Sequence, residues 1–193
     1  MLVTLSEILR DANERHYAVG AFNCLSVENV MGAIEAAEQL RSPIIIQLAE
    51  VQFPEAPMEL MAPLFLQAAR RSSVPVCVHL DHGQSVETCR RAIQLGFTSV
   101  MFDGSRLPFD ENAARTKAVA DAAHAAGATC EGEIGHVAMG DETALTEPDE
   151  AAAFAKASGV DALAVSIGTA HGYYKAEPKL DIPRCAAIAA VFR

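Results

Sequence analysis

A short apolar run, a polar or glycine-bearing turn and a helix with one apolar stripe recur about every thirty residues along this 193-residue chain. That rhythm commits the chain to strands and helices alternating around a parallel sheet. Strands are expected at Ala18 to Phe22, Pro43 to Gln47, Pro75 to Leu80, Ser99 to Phe102, Ala128 to Glu131 and Ala162 to Ser166. Helices are expected at Val27 to Leu40, Pro57 to Arg71, Ser85 to Leu95, Glu111 to Ala126, Asp149 to Ala157 and Pro183 to Ala190. Thr4 followed by Glu7 reads as a capping box that opens an earlier helix. Gly96, Gly127 and Gly159 each end a helical pattern ahead of an apolar run, where a left-handed residue costs glycine least. The strands alternate little between polar and apolar residues, which predicts burial on both faces.

Six such units suit either a doubly wound sheet or most of a (β/α)8 barrel, and the polar residues decide between them. They fall at the carboxyl end of every strand: Asn23, Gln47, Asp81 with His82, Asp103, Glu131 with Glu133, and His171 inside Gly168 to Gly172. A doubly wound sheet gathers its chemistry at one switch point, whereas a barrel collects residues from nearly all its strand ends around one mouth. The expected fold is therefore a (β/α)8 TIM barrel, with residues 1–193 forming a single domain. No Gly-x-Gly-x-x-Gly follows the first strand and no Gly-Lys-Ser/Thr loop occurs, so nucleotide binding has no support.

Composition removes several classes of partner. A formal charge of −10 and a pI near 5.0 argue against nucleic acid or an anionic membrane surface as a general partner. The segment from Met1 to Arg15 is interrupted by Glu7, Arg10, Asp11, Glu14 and Arg15, so it is no signal h-region, and no later run is long enough to span a bilayer. The five cysteines, Cys24, Cys77, Cys89, Cys130 and Cys185, are odd in number and widely spaced. They suit core positions in a reducing cytoplasm better than a disulfide framework.

The densest chemistry lies in His79-Leu80-Asp81-His82-Gly83. A carboxylate able to move a proton adjoins an imidazole able to bind a metal, and Gly83 is expected to supply the sharp turn that aims both at one cavity. A local hydrogen-bonding corner is the plainer reading of the same pair. His79, inside the strand, is expected to be a hydrogen-bonded pocket wall; His16, in a helix, and His124, near a glycine cap, are expected to face solvent.

Taken in order, His79 to Gly83, Ser99-Val100-Met101-Phe102-Asp103-Gly104-Ser105 with Leu107-Pro108-Phe109, Glu131-Gly132-Glu133-Ile134-Gly135 and Gly168-Thr169-Ala170-His171-Gly172-Tyr173-Tyr174 resemble the class II, zinc-dependent ketose-bisphosphate aldolases. Gly20-Ala21-Phe22-Asn23 extends the resemblance towards the start, so that it covers nearly everything up to Ile182. The nearest branch is that of the fructose- and tagatose-bisphosphate aldolases.

The resemblance implies cleavage of a ketose 1,6-bisphosphate to dihydroxyacetone phosphate and glyceraldehyde 3-phosphate, with zinc stabilising the enediolate charge. It matches His82 and His171 to zinc ligands and Asp81 to the acid/base residue that exchanges a proton with the hydroxyl on the fourth carbon. Asp103 and Glu133 match carboxylates near the metal that hold a second cation or orient a histidine; as isolated residues they read equally well as caps or salt-bridge partners. Gly172 matches a backbone position that helps hold the triose phosphate, in a turn able to form an anion nest. Glu142, in the polar Val137 to Thr146 loop, is the candidate for proton exchange with the triose phosphate, and Asn23 and Gln47 are assigned to the substrate. A monovalent cation and a homo-oligomer are further expectations.

The family's third zinc histidine, in a His-Gly-Gly/Ala-Ser-Gly segment, and its later Asn-Thr/Val-Asp-like segment have no counterpart before Arg193. The expected barrel is accordingly truncated at its C-terminal side after about six βα units. Two functional readings follow: a metal-dependent aldolase, or a catalytically inactive truncated paralogue that serves a full aldolase as partner or accessory subunit. A lysine Schiff-base enzyme is disfavoured because Lys117 and Lys156 fall on helices and Lys175 and Lys179 in a loop.

Overall fold

The computed structural model describes residues 1–136, 144–174 and 177–191. A two-residue strand β1 (Leu2–Val3) leads into α1 (Leu5–Arg15), whose entry is the capping box read from sequence. The Glu7 N–H donates to Thr4 Oγ1 at 3.3 Å and the Thr4 N–H donates to Glu7 Oε2 at 2.7 Å. Six βα units follow. They are β2 (Gly20–Asn23) with α2 (Val27–Leu40), β3 (Ile44–Ala49) with α3 (Met58–Arg71), and β4 (Val76–Gly83) with α4 (Val86–Leu95). Then come β5 (Ser99–Phe102) with α5 (Phe109–Ala125), β6 (Thr129–Ile134) with α6 (Pro148–Ser158), and β7 (Ala162–Val165) with α7 (Ile182–Ala190). Gly96, Gly127 and Gly159 take φ of 98°, 73° and 70°, the left-handed conformation expected of them. None of the described helices is long and apolar enough to cross a membrane.

The strands pair in the order β2-β3-β4-β5-β6-β7, all parallel, and β1 lies against β4 with Leu2 opposite Val76. A doubly wound sheet reverses its order at a switch point; here sequence order and spatial order coincide. The result is a parallel half-barrel of six strands with every carboxyl end on one side. Along β4 the even residues Val76, Val78 and Leu80 face the helix layer and join the main core, which includes Phe65, Phe97, Phe102 and Val30. Cys77 belongs to a separate cluster with Ile45, Leu5 and Ile8 on the other face, where α1 packs across the amino ends. The period of two thus assigns helix-facing residues to stability and leaves His79 and Asp81 on the inner face.

Several expectations need correction. The first barrel strand, expected to be buried on both faces, is exposed at all four of its residues, with Phe22 at 53% exposure. Among the described residues it is an edge strand, paired with β3 alone. β4 and β6 each run about three residues further than their apolar runs suggest, since ladder hydrogen bonds carry on through polar strand ends. His16 is not inside a helix: it is the left-handed C-cap of α1, with φ 56°.

Gly83 has a different job from the expected one. The left-handed residue of this segment is His82, with φ 46°, and Gly83 is absent from the positive-φ positions. What glycine supplies is space, because a Cβ there would lie 2.7 Å from the Met101 carbonyl oxygen and 2.8 Å from Cys89 Sγ. Gly83→Ala is expected to destabilise the fold by about 1–3 kcal/mol through overpacking. Denaturant unfolding measures it, and an unchanged midpoint would show that the backbone yields.

Candidate active site

At the carboxyl ends of the strands lies a cavity of about 640 Å³, lined by Asn23, Asp81, His82, Asp103 and His171, together with Gln52, Arg106, Arg115 and His136. Its centre is built by an irregularity in β4. The register against β5 shifts between Leu80 and Gly83, and the left-handed turn at His82 falls within that shift. In a regular strand Asp81 and His82 would point to opposite faces; the bulge brings both to the cavity. A left-handed non-glycine residue is costly enough to need support from its surroundings, and three carboxylates surround this one.

His82 Nδ1 lies 2.9 Å from Asp103 Oδ2 and 3.7 Å from Glu133 Oε2, while its Nε2 is 3.9 Å from Asp81 Oδ1. The hydrogen bond to Asp103 pushes the imidazole up to about 9, overcoming partial burial that works the other way. Burial alone would raise Asp103, but hydrogen bonds from His82 and Ser105 hold it down at about 2. Asp103 Oδ1 accepts both the N–H and the hydroxyl of Ser105, at 3.1 and 2.7 Å. Asn23 Nδ2 donates to Asp81 Oδ2 at 3.0 Å, so the first and third barrel strands are joined at the carboxylate itself.

Beneath this layer lie His79 and Glu131. His79 Nδ1 meets Ser99 Oγ at 2.9 Å and its Nε2 lies 3.4 Å from Glu131 Oε2. Burial lowers His79 to about 4 and raises Glu131 to about 7. His79 is the hydrogen-bonded wall expected from its place in the strand.

Ligand atoms of His82, Asp103 and Glu133 lie within 4.8 Å of one another, which makes them a group that could hold a metal ion. The His171 ring stands edge-on to His82 with centroids 5.3 Å apart. Imidazole nitrogen with carboxylate oxygen is a donor set suited to a divalent transition ion; alternatively, with Nδ1 bonded to Asp103 as an outer partner, His82 offers Nε2 beside His171. The residues present fit a metal.

The expected site residues divide by place. Asn23, Asp81, His82, Asp103 and His171 share the cavity, and Glu133 is buried directly behind His82. Gln47 is half-buried in β3 between Asn23 and His79, and is not among the lining residues. Gly172 is also off the lining, in a left-handed turn with φ 84°. Glu142 lies outside the described residues. Five polar lining residues were not foreseen: Gln52, Gln84, Arg106, Arg115 and His136. Gln52 folds back so that its Oε1 accepts the Ala49 N–H; Arg106 falls between two quoted segments and His136 directly after one, while Gln84 follows the β4 motif and Arg115 lies inside α5, and strand-end arithmetic does not reach them. His124, expected to face solvent, is exposed and also bonded to Asp161 at 2.8 Å. A second cavity, of about 480 Å³, lies at the amino ends of the strands among Val3, Tyr17, Arg41 and Pro75, the end of a barrel that serves stability rather than chemistry.

Comparison with known proteins agrees with this geometry. The chain is 46% identical over 185 residues to a sulfofructosephosphate aldolase of Alkalicoccus urumqiensis, covering 92% of this chain and 64% of that protein. It is likewise 46% identical over 201 residues to a fructose-bisphosphate aldolase of Thermus caldophilus, covering 98% and 65%. The chain thus spans a little under two thirds of these relatives' length. Among solved structures, the YdjI aldolase from Escherichia coli K12 superposes with a TM-score of 0.91 at 35% identity, over 99% of this chain and 70% of that one. The family model described as fructose-bisphosphate aldolase class-II matches residues 3–192, and with the strand-end carboxylate and histidines in place, the chain belongs to the class II fructose-bisphosphate aldolase family.

Proposed function

We propose that this chain carries out metal-dependent aldol cleavage and condensation of a ketose 1,6-bisphosphate, fructose or tagatose, giving dihydroxyacetone phosphate and glyceraldehyde 3-phosphate. The observation that carries the proposal is the bulged end of β4, where Asp81 and His82 face one cavity and are held by Asn23 and Asp103 respectively. Two relatives of equal identity are named for fructose bisphosphate and for sulfofructosephosphate. A phosphorylated ketose is the substrate class that both names share.

In cleavage, the Asp81 carboxylate takes the proton of the hydroxyl on the fourth carbon. The bond between the third and fourth carbons breaks, the fourth carbon becomes the aldehyde, and the bonding pair passes into the enediolate of the three-carbon product. A proton returned to the third carbon completes dihydroxyacetone phosphate, the role proposed for Glu142. His82 and His171 would hold zinc, with Asp103 orienting His82 and Glu133 beside it. When bound, zinc supplies the Lewis acidity that stabilises the developing negative charge. Asn23 fixes Asp81, and Gly172 and Gln47 are proposed to contact the substrate. The free thiols of Cys24, Cys77, Cys89, Cys130 and Cys185 suit a reducing cytoplasm.

The test is zinc stoichiometry alongside a coupled cleavage assay on both bisphosphates, with and without a chelator. Activity lost to the chelator and restored by zinc is expected; activity indifferent to the chelator would refute the reading. A second reading is an accessory subunit that serves a full-length aldolase. Zinc binding without activity, together with stimulation of a full-length aldolase on mixing, would identify it.

A further inference from the structure

His136 was not foreseen as part of the site, yet its ring ends a hydrogen-bond chain that begins at His82. The Asp103 carboxylate, like any ionised carboxylate, offers only acceptors. Its Oδ2 faces His82 Nδ1 at 2.9 Å, and its Oδ1 lies 2.7 Å from Ser105 Oγ. A hydroxyl has one proton to give, and Ser105 must give it to Asp103. Ser105 Oγ also lies 3.0 Å from His136 Nδ1, so in that contact the hydroxyl oxygen accepts and His136 donates. Both imidazoles therefore carry a proton on Nδ1. On His82 the nitrogen left to bind a metal is Nε2.

The backbone at His136 is anchored on both of its polar groups. The His136 N–H donates to the Ala144 carbonyl at 3.1 Å and the Ala144 N–H donates to the His136 carbonyl at 3.2 Å. The preceding Gly135 has φ 78°, and a side chain there would collide with Thr146 Oγ1. Thr146 is itself buried and tied by its hydroxyl to the Ile134 carbonyl at 2.6 Å and to the Ser166 N–H at 2.8 Å. The chain of bonds thus runs from a rigid stem after β6, through the turn after β5, to the bulge in β4.

We propose that His136 is a positioning residue of the metal centre, acting through Ser105 to hold Asp103 in the orientation that presents His82 Nε2 to the cavity. The proposal rests on the metal-dependent reading above for its function, though not for its geometry. With His136 absent, the Ser105 hydroxyl loses the donor that helps fix its rotor, and once it turns away Asp103 Oδ1 keeps only the Ser105 N–H at 3.1 Å. Partners of this outer kind are worth roughly 10- to 100-fold in metal affinity. His136, one step further out than Asp103, belongs at the lower end.

The test is zinc titration of the purified chain against a chromophoric competitor, with His136→Ala, His136→Asn and His136→Gln. An asparagine amide donates from close to the position of Nδ1, whereas glutamine reaches to that of Nε2. The alanine and glutamine variants are expected to bind zinc about tenfold more weakly, and the asparagine variant to recover most of the loss. Zinc affinity unchanged in His136→Ala, or glutamine restoring better than asparagine, would overturn the proposal. Nitrogen NMR of the zinc-free parent in alkaline solution gives a second readout that needs neither metal nor variant: His136 is expected as the Nδ1–H tautomer, and the Nε2–H tautomer overturns the relay. If the parent binds no zinc, the metal reading fails. The relay is then decided by that tautomer and by whether Ser105→Ala releases the His82 Nδ1 proton to fast exchange.

Discussion

Asp81→Asn is expected to lower aldol cleavage by about 10²- to 10⁴-fold, the range that a general acid/base contributes, equivalent to roughly 3–5 kcal/mol of barrier. The substitution is nearly isosteric. The amide oxygen can still accept from Asn23 Nδ2, now 3.0 Å from Asp81 Oδ2, so the cross-strand bond survives. What is lost is the capacity to take a proton from the substrate hydroxyl. Zinc content and KM should therefore stay close to the parent's while kcat falls. Asn23→Ala provides the complementary case: the carboxylate remains but its orientation is released, and a smaller fall in kcat is expected because positioning alone is disturbed. Full activity in Asp81→Asn would refute the assigned role. Loss of zinc along with activity would make Asp81 an anchor of His82 instead, a role its distance of 3.9 Å from His82 Nε2 supports less well than the Asp103 contact at 2.9 Å supports that of Asp103.

The fold was legible in the sequence because parallel strands buried on both faces write themselves as continuous apolar runs, and helix ends as glycines. Ile44 to Ile46 and Val76 to Val78 are such runs, and both lie in strands with a neighbour on either side. β2 was misjudged for the opposite reason: its composition is that of an inner strand, but exposure depends on how many neighbours a strand has, which no local pattern records. β1 is two residues long and carries no periodicity at all. The chemistry at strand ends was legible as far as one residue type per strand could be counted. The conformational switch at β4 was placed at Gly83 because glycine is the permissive residue, yet His82 adopts the left-handed angle and Gly83 makes room for Met101 and Cys89. Permission to bend and lack of space leave the same mark in a sequence. His136 was missed because its significance lies in Ser105, thirty-one residues earlier. Contacts between successive strand-end loops have no signature within either loop.

Zinc affinity is expected to rise about tenfold per pH unit from neutrality to about pH 9, then to level off, giving a gain of roughly 100-fold between pH 7 and 9. The reason is that an imidazolium has no lone pair for a metal. His82 is pushed up to about 9, chiefly by its hydrogen bond to Asp103, so below that pH the metal must displace a proton, and affinity falls as pH falls. Asp103 thus has two opposed effects: it fixes the ring for the metal and it stabilises the competing proton. Asp103→Asn separates them. Without the carboxylate, His82 returns towards the ordinary histidine value near 6.5, which removes the proton penalty of up to about 100-fold at pH 7. The same substitution gives up an outer partner worth roughly 10- to 100-fold. At neutral pH the two changes nearly cancel, and the variant should bind zinc about as well as the parent. At pH 9 the parent has already lost its proton, the penalty no longer exists, and the variant should be weaker by the full 10- to 100-fold. Parallel competition titrations at the two pH values decide it. A parent profile flat across this range would show that His82 is not the group the metal displaces a proton from. A variant equally impaired at both pH values would assign Asp103 to direct ligation rather than to orienting His82.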